Sequence, residues 1–156
     1  MSAFDPESFL NATITEANEK RPPLPPENPD SPDGFYTATI GEVKMASGSK
    51  ADGSTWVQAL VPLKLEIPFS LQDKLKLAST MTLTDRAFID LTVQGSIDNA
   101  PGKNRRQRQY REATGMNKAG VAFSWGSLQG QIVKVKVENH EYNGEIQDGV
   151  AAVFKA

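Results

Sequence analysis

Cysteine is absent from the 156 residues and histidine occurs once, at His140. Without cysteine there is no zinc finger, no thiol nucleophile and no disulfide framework, and the chain suits a reducing compartment. A single histidine excludes an imidazole cluster for a metal and a paired imidazole acid and base. No apolar run approaches the roughly 18 residues that a membrane span requires. Met1–Lys20 carries acids and polar residues where a secretory leader would be apolar, so no leader is expected. Neither GxGxxG nor GxxxxGK[ST] occurs, and Gly48-Ser49-Lys50 is a fragment of the latter that opens no helix. Asp85 and Asp90 lie on opposite sides of an expected strand, which argues against a catalytic pair. No enzymatic activity, cofactor or metal is expected, and the compartment expected is the cytoplasm.

What is present is an uneven distribution of charge. Residues 1–33 hold seven acids against Lys20 and Arg21, while the remainder holds 12 acids against 15 bases, so a net charge of −2 conceals a body at +3. That asymmetry is compatible with a polyanionic partner. The length suffices for one domain with a proper core and an arm, and no internal repeat is apparent.

Asp5-Pro6-Glu7 has the chemistry of a helix start: a capping carboxylate, proline at the first helical position and an acid near the positive end of the dipole. A helix of about three turns is expected to run to Asn18, with only a thin apolar stripe. The segment RPPLPPENPDSPDG has six prolines and is expected to be an extended linker. The arm, residues 1–33, is then either a passive spacer or a dock for a neighbouring subunit or partner protein. The folded domain is expected over 34–156.

Within it, Phe35–Met45 has strand composition, with a bend at Gly41, and Ala46–Ser54 reads as loop. Thr55–Ile67 alternates, Val57, Ala59, Val61, Leu63, Leu65 and Ile67 inward; Pro62 implies a sheet edge or bulge. Pro68–Ser79 is expected to be loop with a short helical turn. Thr80–Val93 alternates again, except that Asp85 falls on the apolar side, an exception assigned to an irregularity or a hydrogen-bonded turn. The basic run from Arg105 to Arg111 suits a helix stopped at Gly115. Gly130–Asn139 and Glu145–Lys155 follow as strands joined by a turn, His140–Gly144, marked by Asn143-Gly144. Three strands, a helix and two strands make a mainly β fold in the order β-β-β-α-β-β, that of the five-stranded Greek-key barrel called the OB-fold.

Two strands carry unusual residues on their polar sides: Trp56 and Lys64 on the second, Arg86 and Phe88 on the third. Aromatic rings on a wet sheet face are natural platforms for nucleobases, and Lys and Arg neutralise phosphates. The first hairpin loop adds Lys50 and the last adds His140 and Tyr142. The competing reading is that the N-terminal or basic helix covers the rings. On the basic helix Arg105, Arg108 and Arg111 share an outer side, either as an extension of the phosphate path or as a solvated face, while Arg106, Tyr110 and Ala113 turn to the barrel. Phe123-Ser124-Trp125 is either a second stacking site or a plug for one end of the barrel.

PDGFYTATI, LTDRAFIDL, the basic helix ending in REATGMNKAG, and LQGQIVKVKVENHEYNGEI together resemble the small bacteriophage-encoded single-stranded-DNA-binding proteins of OB-fold type, over roughly 33–156. The resemblance implies non-catalytic coating of single-stranded DNA during phage replication or recombination, in the host cytoplasm. Many such proteins end in an acidic tail that recruits replication partners. Here the terminal residues are Val153-Phe154-Lys155-Ala156, and the arm is expected to recruit replication or recombination proteins or to compete with DNA. The alternative is a non-catalytic phage structural or adaptor protein using the barrel for protein contacts. Sheet edges near Pro62 and the arm leave room for a homodimer.

Overall fold

The computed structural model describes residues 4–156. Six antiparallel strands form one open sheet: β1 Tyr36–Ile40, β2 Lys44–Ser49, β3 Thr55–Glu66, β4 Thr80–Ile89, β5 Ile132–Tyr142 and β6 Glu145–Lys155. Two helices accompany them, α1 Phe69–Leu75 and α2 Arg105–Ala113. The order is β2-β3-β1-β5-β6, with β4 on the other side of β3. β4 and β6 approach each other without a backbone pairing, and α2 packs on both. The sheet is therefore not the closed five-stranded barrel expected, and it carries an additional strand and helix.

The additional strand has a physical origin in Gly41 and Pro62. β1 and β2 both pair with the same side of β3, β1 near its end and β2 near its start. Between them the chain breaks at Gly41–Val43, opposite Pro62, and a Cβ on Gly41 would lie 3.0 Å from Pro62 Cγ. Pro62 thus interrupts a ladder rather than marking a sheet edge, because β3 is paired on both sides. β2 runs to Ser49 through residues expected to be loop, leaving only Lys50–Ser54 to turn. At the other end β4 stops at Ile89. Val93, expected to point inward, is 99% exposed in the following turn. The last turn is confined to Asn143-Gly144, both at positive φ, so that His140 and Tyr142 belong to β5.

The alternation expected for β3 and β5 holds: Ala59, Val61, Leu63 and Leu65 face Val133, Val135 and Val137 in the core. Tyr110, Ala113 and Trp125 close one end. α2 ends in a full Schellman motif, with Met116 N donating to Arg111 O at 2.7 Å and Gly115 N to Glu112 O at 3.3 Å, Gly115 supplying φ +75.

The N-terminal helix is corrected to a single 3-10 turn, Pro6–Phe9, capped by the Asp5 carboxylate. Among the described residues, Phe9 meets only the neighbouring Phe4 ring, at 5.8 Å between centroids, and stays exposed, and an isolated short helix is marginal in water. The proline segment, in contrast, is built into the body. Leu24 is fully buried, a contribution of about 2 kcal/mol. The buried Asp148 carboxylate accepts from Leu24 N at 2.8 Å and pairs with Arg21. Asn139 Nδ2 donates to Leu24 O at 3.0 Å, and Tyr36 Oη to Pro25 O at 2.7 Å. Burial and the Asp148 charge push the Tyr36 hydroxyl up to about 12. Lys134 pairs with Asp33. Hydrogen bonds from Lys134, Ser31 and the Phe35 N–H hold the Asp33 carboxyl well below the usual carboxylate range.

Candidate nucleic-acid interface

Period-two geometry and the β3–β4 register put Trp56, Gln58, Leu60, Pro62 and Lys64 on one face, with Thr82, Thr84, Arg86 and Phe88 beside them. This face is turned away from the core. Phe88 is 65% exposed. Its ring meets the half-buried Trp56 indole edge-on, with centroids 6.0 Å apart and planes at 78°. The indole lies across the backbone of Gly48, its partner on β2; a Cβ there would sit 2.7 Å from Trp56 Cζ2. Only glycine lets the ring lie flat at that position. Neither helix covers the two rings: what borders them is a concavity of about 390 Å³ shared with Lys50, Ser54 and the end of β4.

The cations are arranged around these rings. Lys50, Lys64 and Arg86 are exposed and make no ion pair among the described residues. Lys44 joins them: it pairs with Leu60, which pairs with Arg86, so the two cations flank one leucine in a single row across the sheet. Lys44 falls inside the strand expected over Phe35–Met45, but only the pairing of β2 with β3 sets it in a row with Arg86, which composition does not reveal. Asp90 borders the same concavity, but its carboxylate accepts the backbone N–H of Asn104 at 2.6 Å and is thereby committed to the loop before α2. Tyr142 is exposed at the end of β5 that passes the start of β1, away from Trp56. His140 is exposed on the same hairpin, over Gly149.

No protein-family profile and no curated protein sequence matches this chain. The chemistry of the site rests on its own geometry.

The three arginines of the outer α2 stripe are not equivalent. Arg105 is exposed and free of ion pairs among the described residues. Arg108 faces Glu112 at 3.7 Å, an exposed pair of little energetic weight. Arg111 is occupied structurally: its Nε and Nη2 donate to Met116 O at 3.1 and 3.0 Å, and its guanidinium lies 5.4 Å from the Phe123 ring centroid. None of the three borders the Trp56–Phe88 concavity.

The inner side of β4 holds a buried polar network. Asp85 lies in a regular pair with Val61, not in a strand irregularity. Its carboxylate accepts Tyr110 Oη–H at 2.6 Å and faces Arg106 Nε at 3.4 Å. Arg106 also donates to the Val150 and Ala151 carbonyls of β6, so one side chain bridges the space where β4 and β6 fail to pair. Burial pushes the Asp85 carboxyl up against the opposing pull of Tyr110 and Arg106, and burial beside Asp85 pushes the Tyr110 hydroxyl far up. Trp125 is 6% exposed, donates Nε1–H to Gln107 Oε1 at 3.2 Å and packs edge-on to Tyr110. It is the plug, not a stacking site. Among the described residues no helix is long and apolar enough to cross a membrane.

Proposed function

We propose that this chain is a non-catalytic, sequence-tolerant single-stranded-DNA-binding protein, and that the strand lies across the outer face of β3 and β4. The observation that carries the reading is the pair of contacting aromatic rings, Trp56 and Phe88, beside Lys50 on a face turned away from the core and bordered by an open concavity. Stacking on such rings is indifferent to base identity and is worth about 1–3 kcal/mol per base. Lys44, Lys50, Lys64 and Arg86 supply the phosphate contacts. Arg105 extends that charge, whereas Arg108 and Arg111 contribute less because Glu112 and Met116 already engage them.

The OB-fold reading is supported by the strand path. Taken as one interrupted strand, β1 and β2 pair with β3 and β5, β3 with β4, and β5 with β6, and a helix spans the opening between β4 and β6. That is the Greek-key order of an OB barrel, whose second and third strands form the ligand face. Together with the sequence resemblance, it favours a role in phage DNA replication or recombination, in the host cytoplasm.

The test is the fluorescence anisotropy of a labelled oligo-dT over a series of salt concentrations. With about four phosphates neutralised, log affinity is expected to fall with log salt at a slope near −3, and duplex of the same length is expected to bind more weakly. No binding, or binding indifferent to salt, would favour the adaptor reading instead.

A further inference from the structure

A second concavity, of about 470 Å³, opens between β2 and α2, lined by Met45, Ile97, Gln107, Arg111, Val121 and Phe123. Its walls combine the exposed aliphatic side chains of Met45, Ile97 and Val121 with the Phe123 and Trp125 rings. Besides Asn99 and Ser124, its polar groups are the donors Gln107 and Arg111. Gln107 is only 8% exposed and spends its Oε1 on Trp125, while its Nε2 has no hydrogen-bond partner among the described residues. Arg111 turns Nε and Nη2 to Met116 O and keeps Nη1. The adjoining depression adds Lys103 and Arg108. Three acids stand nearby, Asp90 and Asp98 on the Asn104 and Ala100 backbone N–H groups and Glu112 against Arg108, so what the concavity offers a ligand is the directed donors Gln107 Nε2 and Arg111 Nη1 rather than an excess of charge. A ligand that fits brings apolar bulk together with oxygen acceptors, carboxylates among them, for Gln107 and Arg111.

The chain itself carries such a segment. Residues 4–14, FDPESFLNATI, expose Phe4, Phe9, Leu10 and Ile14 at 63–78%, interleaved with Asp5 and Glu7. The described backbone hydrogen bonds of this stretch stay within it. Among the described residues, the contacts that hold the arm to its own body begin at Lys20, on the β5–β6 hairpin. We propose that the concavity between β2 and α2 receives the N-terminal segment of a second copy, with an apolar side chain against Met45, Ile97 and Val121 and carboxylates on Gln107 and Arg111. Association of this kind needs no nucleic acid and links copies head to tail.

Sedimentation equilibrium of the full chain, without DNA, tests it. Wild type is expected to associate with concentration, and Phe9→Asp in the segment or Val121→Asp in the groove each to weaken association about tenfold or more. Ile97→Asp is the second groove variant should Val121→Asp misfold. An equimolar mixture of a segment variant and a groove variant is expected to regain dimers but nothing larger, since only one intact segment and one intact groove remain per pair. A monomeric wild type, variants that associate like wild type, or a mixture no better than its components overturns the proposal. A monomer in which Phe9→Asp moves the Gln107 side-chain NMR signal would put the segment in its own groove and also overturn it. So would oligo-dT moving that signal equally in wild type and Phe9→Asp, which would assign the groove to nucleic acid.

Discussion

On the inner side of β4, Asp85 is sealed against Tyr110 and Arg106, whereas one residue further on, Arg86 stands in water with no ion partner among the described residues. The same strand thus presents two polar surfaces with opposite economies of solvation. Inside, each donor and acceptor is matched, since a buried carboxylate left unmatched costs several kcal/mol. Outside, cations and rings are left unmatched, an arrangement that is inexpensive in water and gains only when something anionic and flat arrives. Structure resides on one side, and the proposed binding on the other.

Substitutions can break this division. The largest effect is expected from Arg106→Ala, which strands Asp85 and removes the link to β6, costing about 3 kcal/mol in urea unfolding, while oligo-dT affinity of the folded fraction is preserved. Trp56→Ala is expected to do the reverse, with a loss of about 2 kcal/mol, roughly thirtyfold, in oligo-dT affinity by anisotropy. Tyr110→Phe deletes a single donor to Asp85 and is expected to cost about 1.5 kcal/mol in unfolding without a change in binding. Lys64→Gln is expected to reduce the salt slope by about 0.7 and leave unfolding alone.

Asp85 is held above, and Asp33 below, the ordinary carboxylate value of 3.8. Just above that value the folded chain keeps the Asp85 proton that the unfolded chain releases, so Asp85 makes stability fall as pH rises through this window. Asp33 acts oppositely: its pair with Lys134 stabilises above 3.8, and that contribution is lost as acid protonates it. Urea unfolding across pH 3 to 7, a range set by roughly ordinary carboxylate titration, is expected to show a steeper rise of stability with pH in Asp85→Asn than in wild type, and a flatter one in Asp33→Asn.

The outer face was legible because period two is a strong signal: Trp56, Lys64, Arg86 and Phe88 fall on the polar side of their strands by counting alone. β2 was not, since Ala46-Ser47-Gly48-Ser49 has loop composition and is a strand only through its pairing with β3; Lys44 went unrecognised with it. Asp85 looked like an error in the pattern because its partners, Tyr110 and Arg106, lie on a helix that the sequence cannot place above it. Leu24, a single leucine among prolines, carries no periodicity at all, so its burial appears only in three dimensions. The engagement of Arg111 follows from the Schellman turn that brings Met116 O back to it, a consequence of one glycine's backbone.

The most direct measurement is tryptophan fluorescence of the single-tryptophan variants Trp125→Phe and Trp56→Phe during titration with oligo-dT. Trp56 lies on the open face and Trp125 is buried under α2. The expected result is saturable quenching in Trp125→Phe, which retains Trp56, and almost none in Trp56→Phe. Equal quenching in both, or quenching confined to Trp56→Phe, would contradict binding on the β3–β4 face.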